Sequence, residues 1–115
     1  TTISPTVHSS PEISLNALIE CSSSRSFCLT GFIKGNKVQV LIDGGSTYNF
    51  ITERMAYHTG LILHSITPFN VQVANGEALS CTAMCSNVPL VLQKHNFNLD
   101  LFVLDLKGVD VVLGV

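Results

Sequence analysis

Polar and apolar positions along this chain follow a period of two in most places, in short runs separated by turn residues. "SFCLTGFIKG", "KVQVLID", "FNVQVA", "EALSCTAM", "VPLVLQ", "FNLDLFVLD" and "VDVVLG" each read as a strand, and "ISLNALIE" reads as another ahead of them. Gly35 and Asn36 are expected to supply the turn between the second and third strands, giving a meander that ends at Asp43. One stretch breaks the period. In "NFITERMAYHTG", Ile51, Met55 and His58 or Thr59 fall at helical spacing, and Gly60 is a natural left-handed stop. Ser46 and Thr47 are the candidate caps. The pattern predicts a mostly β chain with one short α-helix.

The alternation also sets a register. A two-residue loop at Asn75 and Gly76 would place Val71 opposite Ser80 and mix polar with apolar side chains on both faces. A three-residue loop of Ala74, Asn75 and Gly76 instead pairs Val71 with Leu79 and Phe69 with Cys81, with glycine at the left-handed position. A faint internal echo is present as well. "GFIKGNKVQVLIDGG" and "LVLQKHNFNLDLFVLD" each run apolar strand, polar turn with Lys and Asn, apolar strand, which suits two similar halves around one core.

Residues 1–12, "TTISPTVHSSPE", have no apolar periodicity and are expected to form a flexible Ser/Thr/Pro linker ahead of one domain over residues 13–115. A chain of 115 residues can support one core. Charged residues make up only 12% of it, about half the roughly 25% usual in soluble domains, so part of the surface is expected to be apolar and covered by a partner. The six Lys and Arg are scattered singly and the net charge is -2, which argues against direct nucleic-acid binding. Residues 55–76 carry no Asp, Glu, Lys or Arg, but their His, Pro, Asn and Gln residues do not suit a membrane span.

Cys21, Cys28, Cys81 and Cys85 come without a signal-peptide core, and they are expected to be reduced thiols of an intracellular, cytoplasmic protein. A zinc site from Cys81, Cys85 and His95 fits no close ligand spacing, so no metal is expected. No P-loop or nucleophile elbow occurs, and no cofactor is expected.

The chemistry centres on "VLIDGGSTYNFI", residues 40–51. Asp-Gly-Gly after a strand is most often a hairpin turn, but here a helix start follows, which makes a strand-to-helix loop with a carboxylate at its mouth. A second apolar run, "VVLG", ends at Gly114, where a missing side chain lets another segment pass close. These two stretches resemble the signatures of retropepsin-like aspartic proteases: apolar residues, Asp, Ser or Thr, Gly, then Ala or Ser, and later apolar residues followed by Gly. "PEISLNAL" and "VQVANGEALSCTAMCSNVPLVLQ" are similar to the protease region of plant Ty3/gypsy-type retrotransposon polyproteins. The likeness covers residues 11–115.

The resemblance implies a retropepsin-like acid protease fold forming one half of a two-fold dimer, with Asp43 as the catalytic acid and Gly44, Gly45, Ser46 and Thr47 as its loop. It implies a flap over a polypeptide substrate at Val73, Ala74, Asn75, Gly76 and Glu77, and a second glycine motif at Val112, Leu113 and Gly114. An ordinary surface turn is the alternative for that hairpin. The activity implied is that of a homodimeric aspartic endopeptidase acting on its own polyprotein. Gly44 departs from the pattern, since the family carries a hydroxyl residue there that braces the two acids across the dimer. The family also continues into a helix and a terminal strand, so the polyprotein is expected to run on past Val115. The alternative is a catalytically impaired module of the same fold that dimerises or binds peptide. Glu53, Tyr57 and His58 read as solvated helix residues, and Asp100, Asp105 and Asp110 as strand-edge or turn carboxylates.

Overall fold

The computed structural model describes residues 12–13, 26–44, 46–73 and 76–114. In chain order the elements are β1 (Glu12–Ile13), β2 (Ser26–Ile33), β3 (Asn36–Asp43), β4 (Phe50–Thr52), α1 (Glu53–His58), β5 (His64–Val73), β6 (Ala78–Leu92), β7 (His95–Leu104) and β8 (Val111–Gly114). The fold is mostly β with one short helix, as the pattern predicts. The linker assigned to residues 1–12 lies outside the described residues except for Glu12, which opens β1. Of the strand expected from Ile13, only that first residue is described.

The strands join in the order β1-β5-β6-β2-β3-β8-β4-β7, and β6 also pairs with β7. The echo in the sequence corresponds to two hairpins, β2–β3 and β6–β7, each turned by two residues with positive φ: Lys34 and Gly35 in the first, Gln93 and Lys94 in the second. Each hairpin then receives the strand that follows the other. β8, downstream of β7, lies parallel to β3; β4, downstream of β3, lies parallel to β7; and β4 and β8 meet antiparallel between them.

This crossing buries the central strands on both faces. Val38, Val40, Ile51, Leu101, Val103, Val111 and Leu113 enter one apolar cluster. Leu41, Phe50, Phe102, Leu104 and Val112, from the same strands, enter a second. Continuous apolar runs are what strands covered on both sides require, and they account for much of the low charge content. Phe27, Phe32, Tyr57, Ile62 and Phe97 remain exposed.

Several elements differ from expectation. The first turn is Lys34–Gly35, not Gly35–Asn36; Asn36 begins β3 and donates from Nδ2 to the carbonyls of Ile33 and Lys34. Helix α1 is capped by Thr52, whose Oγ1 accepts from Met55 N at 3.2 Å, and neither Ser46 nor Thr47 is the cap. Ile51 belongs to β4, a strand too short to show a period of its own. The runs "EALSCTAM" and "VPLVLQ" form one strand, β6, continued through a bulge between Cys85 and Val88. There Asn87 has φ 53°, and its N–H donates to Asp100 Oδ1 at 2.9 Å, so the amide freed from the ladder still finds an acceptor.

The thiols are also corrected. Cys28 is disulfide-bonded, while Cys81 and Cys85 are free and buried. Those two belong to different clusters and His95 is exposed, so the three do not form a zinc site.

Candidate active site

Asp43 is the last residue of β3, and both neighbouring strands continue to its level. Ser26 stands opposite it on β2 and Gly114 beside it on β8. Only 3% of Asp43 is exposed. A carboxylate held that far from water is costly unless it is hydrogen-bonded or shares a proton, which makes Asp43 the candidate acid of this site.

The chain turns at Gly44, and Ser46 N donates to the Asp43 carbonyl at 3.2 Å. Ser46 is itself buried, and its Oγ donates to the Tyr48 carbonyl at 2.7 Å. Gly114 fastens this loop from the far side: its N–H donates to Asn49 Oδ1 at 2.9 Å, and Asn49 in turn accepts Phe102 N at its carbonyl, also at 2.9 Å. A Cβ at Gly114 would sit 3.0 Å from the Ser46 carbonyl carbon and 3.2 Å from the Tyr48 carbonyl oxygen, and closer still to the Ser46 oxygen. The segment expected to pass close to this glycine is therefore the Asp43 loop. Val112 and Leu113 lie buried in β8 behind it, and Thr47 is exposed.

The loop is tied to the hairpin of β5 and β6 through aromatic rings. Tyr48 meets Phe69 of β5 edge-on at 6.1 Å and Phe102 of β7 at 5.8 Å, and Phe69 meets Phe102 at 5.3 Å. Val71, Leu79 and Cys81 of that hairpin share the cluster of Leu41 and Val112. The predicted register holds, with Val71 opposite Leu79 and Phe69 opposite Cys81, and Gly76 has φ +90°. Val73 ends β5, and Glu77 is exposed just after Gly76. Gly45, Ala74 and Asn75 lie outside the described residues. β5 carries a register shift between Ser65 and Phe69, around Pro68, which has no N–H to give a ladder.

The other aspartates have structural partners. Asp110 Oδ2 accepts from Gln39 N at 2.8 Å, Asp100 serves the bulge, and Asp105 is 77% exposed near Lys107. Asp105 follows β7 as Gly44 follows β3, but it emerges at the opposite end of the sheet, because β4 and β8 run antiparallel. Asn49 and Tyr48, which hold the loop, and Ser26, which stands opposite Asp43, were not singled out from the sequence. Asn49 sits in a polar loop sequence that gives it no distinct signal, and Ser26 and Tyr48 depend on register and packing that composition does not reveal.

The fold is matched among solved structures. The EIAV protease, solved with the inhibitor HBY-793, has a TM-score of 0.62 at 14% identity, over 79% of this chain and 83% of that one. The retroviral protease-like domain of Ddi1 from Leishmania major has a TM-score of 0.60 at 14% identity, over 80% and 74%. A retropepsin-like aspartic protease from Rickettsia conorii has 0.53 at 19% identity, over 78% and 67%. No curated protein sequence matches the chain. A family model described as retroviral aspartyl protease matches residues 12–115, which include Asp43, its loop, the hairpin and Gly114, and the chain thus belongs to that family.

Proposed function

We propose that this chain is an aspartic endopeptidase that acts as a homodimer, with Asp43 of each protomer forming a two-acid centre. The observation that carries the reading is the buried Asp43 at the end of β3, on a loop fastened by Gly114. Two carboxylates brought together cannot both ionise cheaply, so the pair shares one proton. The ionised member takes a proton from a water lying between them, and the protonated member donates to the scissile carbonyl oxygen as the water attacks. The hairpin of β5 and β6 is the flap, laid over an extended peptide and joined to it by backbone hydrogen bonds. The similarity in "VQVANGEALSCTAMCSNVPLVLQ" supports a Ty3/gypsy-type retrotransposon polyprotein of plant type as both source and substrate.

The test is cleavage of a peptide library at acid pH, with the association state followed by sedimentation. Cleavage by the parent, its loss in Asp43→Asn, and a rate that grows faster than linearly with protein concentration are expected. Equal behaviour of parent and Asp43→Asn would reject the enzyme. Gly44, which lacks the hydroxyl that braces the dimer elsewhere in the family, favours one second reading: a module of this fold that dimerises or binds peptide with little catalysis.

A further inference from the structure

We propose that Ser26 is a positioning residue whose Oγ–H donates to the carboxylate of Asp43 and holds that side chain in one rotamer. The pairing of β2 with β3 is unbroken from Ile33↔Asn36, flanking the two-residue turn, to Ser26↔Asp43. In such a hairpin the flanking pair exchanges backbone hydrogen bonds, and the two kinds of pair alternate from there. Ser26 and Asp43 thus form a pair without backbone bonds, the kind in which Cα atoms approach to about 4.5 Å and side chains on the same face come closest.

Thr30 and Gln39 check the count, since they lie four steps away and belong to the same class. Both backbone groups of Gln39 turn away from β2: its N–H donates to Asp110 Oδ2 at 2.8 Å, and its carbonyl accepts Asp110 N at 3.0 Å. Across that pair Thr30 Oγ1 lies 3.1 Å from Gln39 Oε1, so a β-hydroxyl in this geometry does reach its opposite number.

Ser26 is only 7% exposed, and its Oγ is buried with no hydrogen-bond partner among the described residues. A buried hydroxyl without an acceptor is destabilising, and a serine hydroxyl rotates to find one. The side chain directly opposite it on the same face is that of Asp43, and a turn of the serine rotor would bring the hydroxyl toward that carboxylate. The effect is to supply, from within one protomer, a restraint on the acid at a place where Gly44 provides no hydroxyl. The catalytic meaning of this restraint rests on the protease reading above; the hydrogen bond itself does not.

The test uses the full chain labelled with carbon-13 and nitrogen-15, with the Asp43 carboxyl resonance assigned by its loss in Asp43→Asn. In the parent and in Ser26→Thr, exchange from H2O to D2O should shift that resonance, and the coupling between the Asp43 nitrogen and carboxyl carbon should report a single χ1 rotamer. In Ser26→Ala the isotope shift should vanish and the coupling should average, while the other aspartates stay unchanged. A folded Ser26→Ala that keeps both signatures overturns the proposal. Where the parent cleaves peptide, kcat should fall about tenfold in Ser26→Ala with KM unchanged and recover in Ser26→Thr. A parent that cleaves nothing rejects the protease reading, and the two spectroscopic signatures still decide the hydrogen bond.

Discussion

Replacing Gly114 by alanine tests how tightly the Asp43 loop and β8 depend on each other. The φ of Gly114 is not in the left-handed region, so its backbone accepts an L residue and any penalty comes from contact. The added Cβ meets the carbonyl groups of Ser46 and Tyr48, which are main chain and cannot rotate aside. Either the loop retreats or β8 moves off β3. Overpacking of this kind costs about 1–3 kcal/mol. Retreat also strains the bonds from Gly114 N to Asn49 Oδ1 and from Ser46 Oγ to the Tyr48 carbonyl, each worth about 1 kcal/mol net. The total is about 3–5 kcal/mol, a large part of the stability of a domain this size. At about 4 °C per kcal/mol the melting temperature should fall by roughly 12–20 °C. Thermal and urea unfolding followed by circular dichroism would measure it. Gly60→Ala is the control, because Gly60 has open space around it and only its φ of +73° resists a side chain. A Gly114→Ala protein that melts within a degree or two of the parent, or no lower than Gly60→Ala, would refute the close-contact account.

Three further outcomes are expected. Gly44→Ser should add one hydrogen bond per protomer, about 2 kcal/mol for the dimer, which tightens its Kd about thirtyfold in sedimentation and raises the rate of peptide cleavage; no gain in either would count against the dimer model. Asp110→Ala should destabilise by about 1–2 kcal/mol in urea titrations because it leaves Gln39 N without its acceptor, whereas Arg54→Ala should have little effect, since Arg54 is 80% exposed in its 3.5 Å contact with Asp110. Burial pushes the Cys81 and Cys85 thiols above their ordinary 9.0, favouring the neutral form in the folded chain. Their contribution to stability is complete below about pH 9 and falls as pH rises past it, because the unfolded chain loses those protons first; unfolding curves from pH 8 to 10 should show that decline, and it should flatten in a Cys81→Ala/Cys85→Ala variant.

The strands that alternate cleanly were legible in the sequence. Only one face of the β5–β6 hairpin is apolar, so a wrong register would have exposed it, and Gly76 fixed the loop. The first turn misled because it sets Lys34 at φ 51°, a conformation that non-glycine residues adopt infrequently, beside a Gly-Asn pair that is a stronger turn signal. The error had a cost at the site. A turn at Gly35–Asn36 would bring Cys28 opposite Asp43, whereas the observed turn brings Ser26 there. "EALSCTAM" and "VPLVLQ" read as separate strands, because a bulge stabilised by Asp100, distant in sequence, leaves no local trace. The Asp43 loop and the Gly114 run were recognisable as motifs, but their mutual contact comes from the crossing of β8 onto β3. The disulfide at Cys28 leaves cysteine usage without weight in assigning a compartment.

The exchange of strands between the two hairpins also orders events in time. β3 and its acid are synthesised before β8, the strand that flanks Asp43 on its other side, and about seventy residues separate the two. Until it arrives, the loop has no Gly114 to close against. A nascent polypeptide of this design carries its acid in an unassembled form, and such distant pairings slow the final collapse.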